Sequence, residues 1–209
     1  MTPAAGSTPW VHPVTLEGRI VRLEPLDRRH LDDLAAVGLD PALWTWTQVQ
    51  PETDAALRAY LEKALAAGEA GTEVPFATIL RESGRAVGST RFLTIVPENR
   101  RLEIGWTWLG RPYQRSGANR EAKLLQLTHA FEVLGANRVE FKTDSRNEAS
   151  RRALEGIGAT FEGIFRSHTI MPWGPLRDSA YYSVIASEWP QVKAHLEALL
   201  VTHDRLHEP

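Results

Sequence analysis

A chain of 209 residues, 43% hydrophobic and 24% charged, suits one packed domain and excludes general disorder. The formal charge of −2 argues against a nucleic-acid binder, which needs a basic surface to neutralise phosphates. No apolar run reaches the length of a membrane span, no signal segment opens the chain, and the lack of cysteine excludes disulfides and thiol chemistry, so a cytoplasmic protein is expected.

Residues 1–13 hold three prolines and a glycine and read as a flexible arm, tacked down locally by Trp10. A single domain is expected over 14–201, followed by a polar tail at 202–209. "RIVRLEPL" (19–26) reads as a strand. "DRRHLDDLAAVG" (27–38) reads as a helix with Asp27 as its N-cap and Gly38 as its stop. After the aromatic link "LWTW", residues 52–68 place Leu57, Leu61 and Leu65 one turn apart, a second helix. The period then changes. "PFATIL" (75–80) is a short apolar strand, "RESG" a hairpin turn, and "AVGSTRFLTIV" (86–96) the returning strand. "RLEIGWTWLG" (101–110) alternates with period two as a fourth strand.

Further on, Leu124, Leu127, Phe131 and Leu134 form a helical stripe ended by Gly135. "RVEFKT" (138–143) is a fifth strand, and "NEASRRALEGIG" (147–158) a helix capped by Asn147. Two strands, 160–171 and 177–186, surround "PWGPL", and 187–200 closes the chain as a helix. This order gives an α/β (α+β) fold. About seven strands form a mixed, mostly antiparallel sheet flanked by helices, with one parallel crossover. The sheet can splay between the fourth and fifth strands, where a loop and a helix leave it.

That loop is "YQRSGANREAK" (113–123). It follows a strand and opens a helix, where backbone N–H groups lack intrahelical partners and the helix dipole is positive, a seat for phosphate. Gly117 lets a ligand approach the backbone, and Arg115 and Arg120 add charge. Taken alone, the loop reads more readily as a capped helix with solvated arginines, because single-glycine loops are weak signals. It matches neither a Walker loop nor a dinucleotide fingerprint.

The stretches "LEIGWTWLGRPYQRSGANREAK" and "HAFEVLGANRVEFKTDSRNEASRRALEGIGATFEGIFR" resemble the GNAT N-acetyltransferases, in particular their ribosomal-protein (RimJ/RimL-like) branch. The resemblance covers roughly residues 14–190. It implies acetyl-CoA as cofactor, with the pyrophosphate held by the backbone of Gln114, Arg115, Ser116, Gly117, Ala118, Asn119 and Arg120. The edge of the fourth strand, Trp106, Thr107, Trp108 and Leu109, would pair with the pantetheine arm as a pseudo-strand. An amide near Trp108 would polarise the thioester carbonyl. Asn119 stands where the family usually has a small residue. The resemblance also implies that Asn147 holds a pantetheine amide and that Ser150 lies near the sulfur. Leu154 occupies the position where many relatives carry an acidic tyrosine, so proton return to the thiolate falls to Ser150. Trp106 and Trp108 side chains read as core.

The attacking amine must be neutral. A terminal α-amine, with a pKa of about 7.8, is about one-tenth neutral at pH 7; a lysine amine, near about 10.4, is below about one part in a thousand. Candidate bases are Glu103, His168 and Asp178, each with a plain structural alternative, and sequence leaves the base unassigned. No residue resembles a covalent acyl carrier, and the seven histidines lack metal-ligand spacing, so no metal is expected. The implied activity is direct acetyl transfer to an amine in a ternary complex, with a protein N-terminus as the leading acceptor. The alternatives are a small-molecule amine, a non-catalytic acyl-CoA sensor, or a binding protein without CoA. A strand edge or the closing helix could form a homodimer.

Overall fold

The computed structural model describes residues 9–205, with side chains to residue 202. The first thirteen positions therefore fall partly outside the described residues. Within them, Trp10 donates its indole N–H to the Leu134 carbonyl at 2.8 Å and Val11 is buried in the main core, so the chain from Trp10 onward is docked.

Among the described residues, eight strands form one sheet: β1 (Leu16–Glu17), β2 (Val21–Pro25), β3 (Val74–Leu80), β4 (Ala86–Val96), β5 (Arg101–Leu109), β6 (Arg138–Asp144), β7 (Thr160–Ile170) and β8 (Leu176–Ile185). Their spatial order is β1-β2-β3-β4-β5-β6-β8-β7, and only β5 and β6 run parallel. The expected fourth and fifth strands are β5 and β6. The eighth strand is β1, a two-residue piece paired to β2 across a turn at Gly18 and Arg19. Its shortness hides it from any periodicity.

Among the described residues, five α-helices pack on it: α1 (Leu31–Gly38), α2 (Asp54–Glu69), α3 (Ala118–Thr128), α4 (Glu148–Gly156) and α5 (Trp189–Arg205). Asp27 does cap as expected, accepting from the Arg29 N–H at 2.9 Å, but what it caps is a 3-10 turn at Arg28–His30 that leads into α1. His30 returns the favour, its ring Nδ1 accepting from the Asp27 N–H at 3.1 Å. The leucine stripe after α3 is not one continuous α-helix. Residues His129–Val133 form a π-helical turn, with the Leu134 N–H bonded to the His129 carbonyl at 3.0 Å. A π turn adds one residue to the repeat, so Phe131 and Leu134 are rotated relative to Leu127. Helix α5 continues to Arg205 because no glycine or proline stops it at 201.

Each face of the sheet has its own core. One cluster joins Phe76, Phe92, Leu102, Ile104, Phe141 and Tyr182 to Leu127 of α3 and Leu196 of α5. The other joins Leu34 of α1 and Leu57 and Leu61 of α2 to Ala77, Ile79 and Trp108, with Trp44 at its centre. No residue of β6, β7 or β8 belongs to this second cluster. The α1–α2 layer thus stops at the strand where the parallel pairing begins.

The hairpin between β1 and β2 is tied to α3 by Glu121, whose carboxylate accepts from three backbone N–H groups: Arg19 at 3.0 Å, Ile20 at 2.7 Å and Val21 at 2.7 Å. The side chain is buried, so removing it strands three donors. Glu121→Ala should cost about 3 kcal/mol by urea denaturation. Glu148→Ala, at an exposed helix start, should cost under about 0.5 kcal/mol. Equal losses would deny the tie.

Candidate active site

Pairing between β5 and β6 covers only Arg101–Glu103 against Arg138–Glu140. Beyond Glu103 the strands diverge. On its other side β5 carries a bulge against β4. Ser89 faces Trp108 and Arg91 faces Gly105, so Trp106 and Thr107 together oppose Thr90. Trp106 has φ of +50°, unusual for a bulky side chain and consistent with a strained bulge. The divergence opens a cleft of about 610 Å³ along the edge of β5.

One end of the cleft is the anion loop. Arg115 (φ +62°) and Gly117 (φ +82°) both take left-handed backbone conformations, which turn the chain sharply into α3. Gln114, Arg115 and Asn119 line the cleft, while Ser116 turns inward to donate to the Tyr113 carbonyl at 2.7 Å. Ala118 is fully buried under the helix start. Arg120 leaves the site: its guanidinium reaches the Leu199 carbonyl on α5 at 3.4 Å. Asn119 Oδ1 is buried without a partner.

The middle of the cleft is framed by Trp106, Thr107, Trp108 and Leu109 on β5, and by Asn147, Ser150 and Leu154 at α4. Asn147 caps α4 by accepting from the Ser150 N–H at 3.0 Å, so cap and cleft wall are the same residue pair. Trp108 packs at 5.3 Å from Trp44, and Trp106 at 5.8 Å from Tyr60, as core residues whose edges also face the cleft.

The far end holds Glu103. It is 4% exposed, with Lys142 Nζ at 3.5 Å and Thr94 Oγ1 at 3.3 Å. Burial pushes its carboxyl above the usual value, against the opposing pull of Lys142. His168 does not join it. It lies on β7 against Ser179 Oγ at 3.0 Å and lines a separate open hollow with Phe165, Arg166, Ser167 and Asp178. Asp178 accepts from the Ser167 N–H at 2.6 Å. Arg177 and Asp178 are strand neighbours that point to opposite faces, so they are not the ion pair their adjacency suggests. Arg177 lines the cleft instead.

Lys123, Lys142, Arg177, Trp46 and Tyr60 also line the cleft, and the sequence reading did not single them out. Lys123 had a signal: it precedes Leu127 by four residues, so a lysine sits on the buried stripe of α3. Its ammonium is buried and donates to Thr107 Oγ1 at 2.8 Å, Gln126 Oε1 at 3.1 Å and Thr90 Oγ1 at 3.2 Å. These bonds tie α3 to both sides of the bulge. With no carboxylate among these partners, burial lowers its pKa to about 7. Among the described residues no cluster of histidine, aspartate and glutamate could hold a metal ion, and no helix is long and apolar enough to cross a membrane.

A split sheet, a bulged strand at its edge and a loop leading into a helix form the arrangement that the resemblance to the GNAT N-acetyltransferases implies. Comparison with known proteins agrees. The model of the acetyltransferase (GNAT) domain matches residues 21–160, and the chain belongs to the GNAT acetyltransferase family. The uncharacterized N-acetyltransferase p20 of Bacillus licheniformis is 27% identical over 176 residues, covering 84% of this chain and 98% of that protein. The crystal structure of a GCN5-related N-acetyltransferase from Brucella melitensis is 37% identical with a TM-score of 0.84, covering 91% of this chain and 86% of that one. Mycobacterium smegmatis RimJ, solved in complex with CoA-disulfide, shares the fold at 22% identity and a TM-score of 0.77, covering 90% of this chain and 97% of that one.

A folded-state lysine with a pKa near 7, set against about 10.4 unfolded, binds fewer protons than the unfolded chain between those values. Stability should therefore rise with pH across that window. Lys123→Met should flatten the rise in denaturation curves taken from pH 7 to pH 10. An unchanged slope would place the proton on Lys123 throughout.

Proposed function

We propose that this chain transfers acetyl from acetyl-CoA to an α-amine by direct attack in a ternary complex, with a protein N-terminus as the leading acceptor. The observation that carries the reading is the cleft itself, which runs unbroken along β5 from the anion loop to Glu103. The residues present fit the cofactor. The first turn of α3 offers unpaired amides to a pyrophosphate, and the buried, partnerless Asn119 Oδ1 offers an acceptor to a polar group of the bound molecule. Acetyl-CoA supplies the acyl group as an activated thioester. The RimJ relative was solved with a CoA derivative, which supports the same ligand class here.

The chain's own residues then divide the work. Amides of the first turn of α3 hold negative charge. The free edge of β5 beyond Glu103 has unpaired N–H and C=O groups for an extended amide-containing arm. Bulge amides near Trp108 polarise the carbonyl that the amine attacks. Glu103, raised by burial, takes the proton the amine loses. Ser150 stands in the cleft wall to return a proton to the departing sulfur, where Leu154 has no proton to give. A thiol pKa of about 8.5 means that little assistance is needed there. An α-amine suits this arrangement, because one weak base suffices for an amine already partly neutral.

The apolar edge strand β7, with Ile164, Phe165 and Ile170 exposed, supports self-association as a homodimer. Light scattering would show twice the chain mass; a monomer at high concentration would end that reading.

Thiol release from acetyl-CoA over a panel of α-amines and peptides tests the activity. Saturable CoA binding without turnover on any amine would instead describe an acyl-CoA binder. Gly117→Val puts a branched side chain at φ +82° and should weaken CoA binding at least about 10-fold by calorimetry. Ser150→Ala should lower kcat with less effect on that affinity. Glu103→Gln should lower kcat about 100-fold and remove the acid limb of the rate profile, which lies above the ordinary carboxylate range.

A further inference from the structure

The far end of the cleft holds a guanidinium that the transfer reaction does not require. Two carboxylates, Glu103 and Asp144, stand among three cations, Lys142, Arg146 and Arg177. Lys142 is taken by Glu103 at 3.5 Å. Asp144 is taken by Arg146, accepting its backbone N–H at 2.9 Å, its Nε at 3.0 Å and its Nη2 at 2.9 Å. Nearby Glu140 is held by Arg101 and Arg138.

Arg177 is left over. It lines the cleft and is only 7% exposed, its Nε has no hydrogen-bond partner, and the nearest carboxylate oxygen, Asp144 Oδ2, is 4.0 Å away. Burial pulls its pKa down, against the opposing pull of Asp144 and Glu103. Its nearest carboxylate oxygen is shared with Arg146 and too far for a hydrogen bond, and a bidentate carboxylate is the partner its planar fork fits best.

Resting on the acetyl-transfer reading above, we propose that the acceptor carries a carboxylate close to its amine, and that Arg177 binds this carboxylate while the amine faces Glu103. The wall opposite is aromatic. Trp46, held by the Arg146 guanidinium at 5.0 Å from its ring, and Trp106 leave apolar surface for the acceptor's remaining carbon skeleton. Two sources supply such a molecule: a free α-amino acid, or a peptide whose second residue is acidic. Arg177 is a specificity residue in either case. It touches the acceptor and takes no part in moving protons.

Paired acceptors separate the two sources. Thiol release is measured with L-alanine against L-alanine amide, and with the peptide Ala-Glu-Ala-Ala against Ala-Gln-Ala-Ala, both as C-terminal amides. The carboxylate member of at least one pair should win by about 10- to 100-fold in kcat/KM, and that pair identifies the source. Arg177→Met should bring that ratio close to 1, and Arg177→Lys should keep part of it. Binding of N-acetyl-L-alanine and its amide to the CoA-loaded protein, by calorimetry, reads the same preference without turnover. Should Arg177→Met fail to fold, the wild-type ratios and Lys142→Gln, which shifts Glu103 but leaves Arg177, still decide. Parity in every wild-type pair, or a ratio that survives Arg177→Met, overturns the proposal. Discrimination in calorimetry without any turnover would sink the transferase reading and leave the carboxylate subsite standing.

Discussion

The functional geometry depends on an interrupted strand pair. β5 and β6 share hydrogen bonds over three residues and then part, although both strands continue. A paired edge would have filled its own N–H and C=O groups. The parted edge leaves them available, and an extended ligand can finish the ladder that the protein leaves incomplete. The bulge at Trp106 and Thr107 lies just past the parting, on the side of β5 paired to β4. Lys123 secures the bulge from below, because its three hydrogen bonds join α3, β4 and β5 at one point.

This arrangement places the anion loop and the opening on the same rigid body. Helix α3 carries the loop at its N-terminus, Glu121 at its first turn and Lys123 one step further. Glu121 fixes the helix to the β1–β2 hairpin, and Lys123 fixes it to the bulge. The amides of the first turn of α3 are therefore held at a set distance from the open edge of β5. Rigid positioning of this kind is what an acyl transfer between two bound molecules needs, since the reaction gains most from alignment.

The two ends of the cleft differ in how they handle charge. At the loop end positive character comes from backbone dipoles and Arg115, with Arg120 diverted to α5. At the Glu103 end it comes from Lys142 of β6 and Arg177 of β8, whose nearest carboxylate oxygens lie 3.5 Å and 4.0 Å away. A carboxylate raised by burial and a buried guanidinium with no hydrogen bond at its Nε line the same cleft.

Much of this was written in local patterns. The period-two run at Arg101–Leu109, the helix caps at Asp27 and Asn147, and the glycine before α3 follow from short-range chemistry, so the sequence by itself determined the elements, their order and the loop at Gly117. It also placed the opening between the fourth and fifth expected strands. Shape at a distance was hidden. Inserting β8 between β6 and β7 is a long-range pairing choice, and that insertion carries Arg177 to the cleft and leaves His168 in another hollow. The bulge, the π turn and the Lys123 hydrogen bonds likewise need partners remote in the chain. Local propensity acts over a few residues, whereas which charges end up unpaired is decided only when strands from distant segments pack side by side.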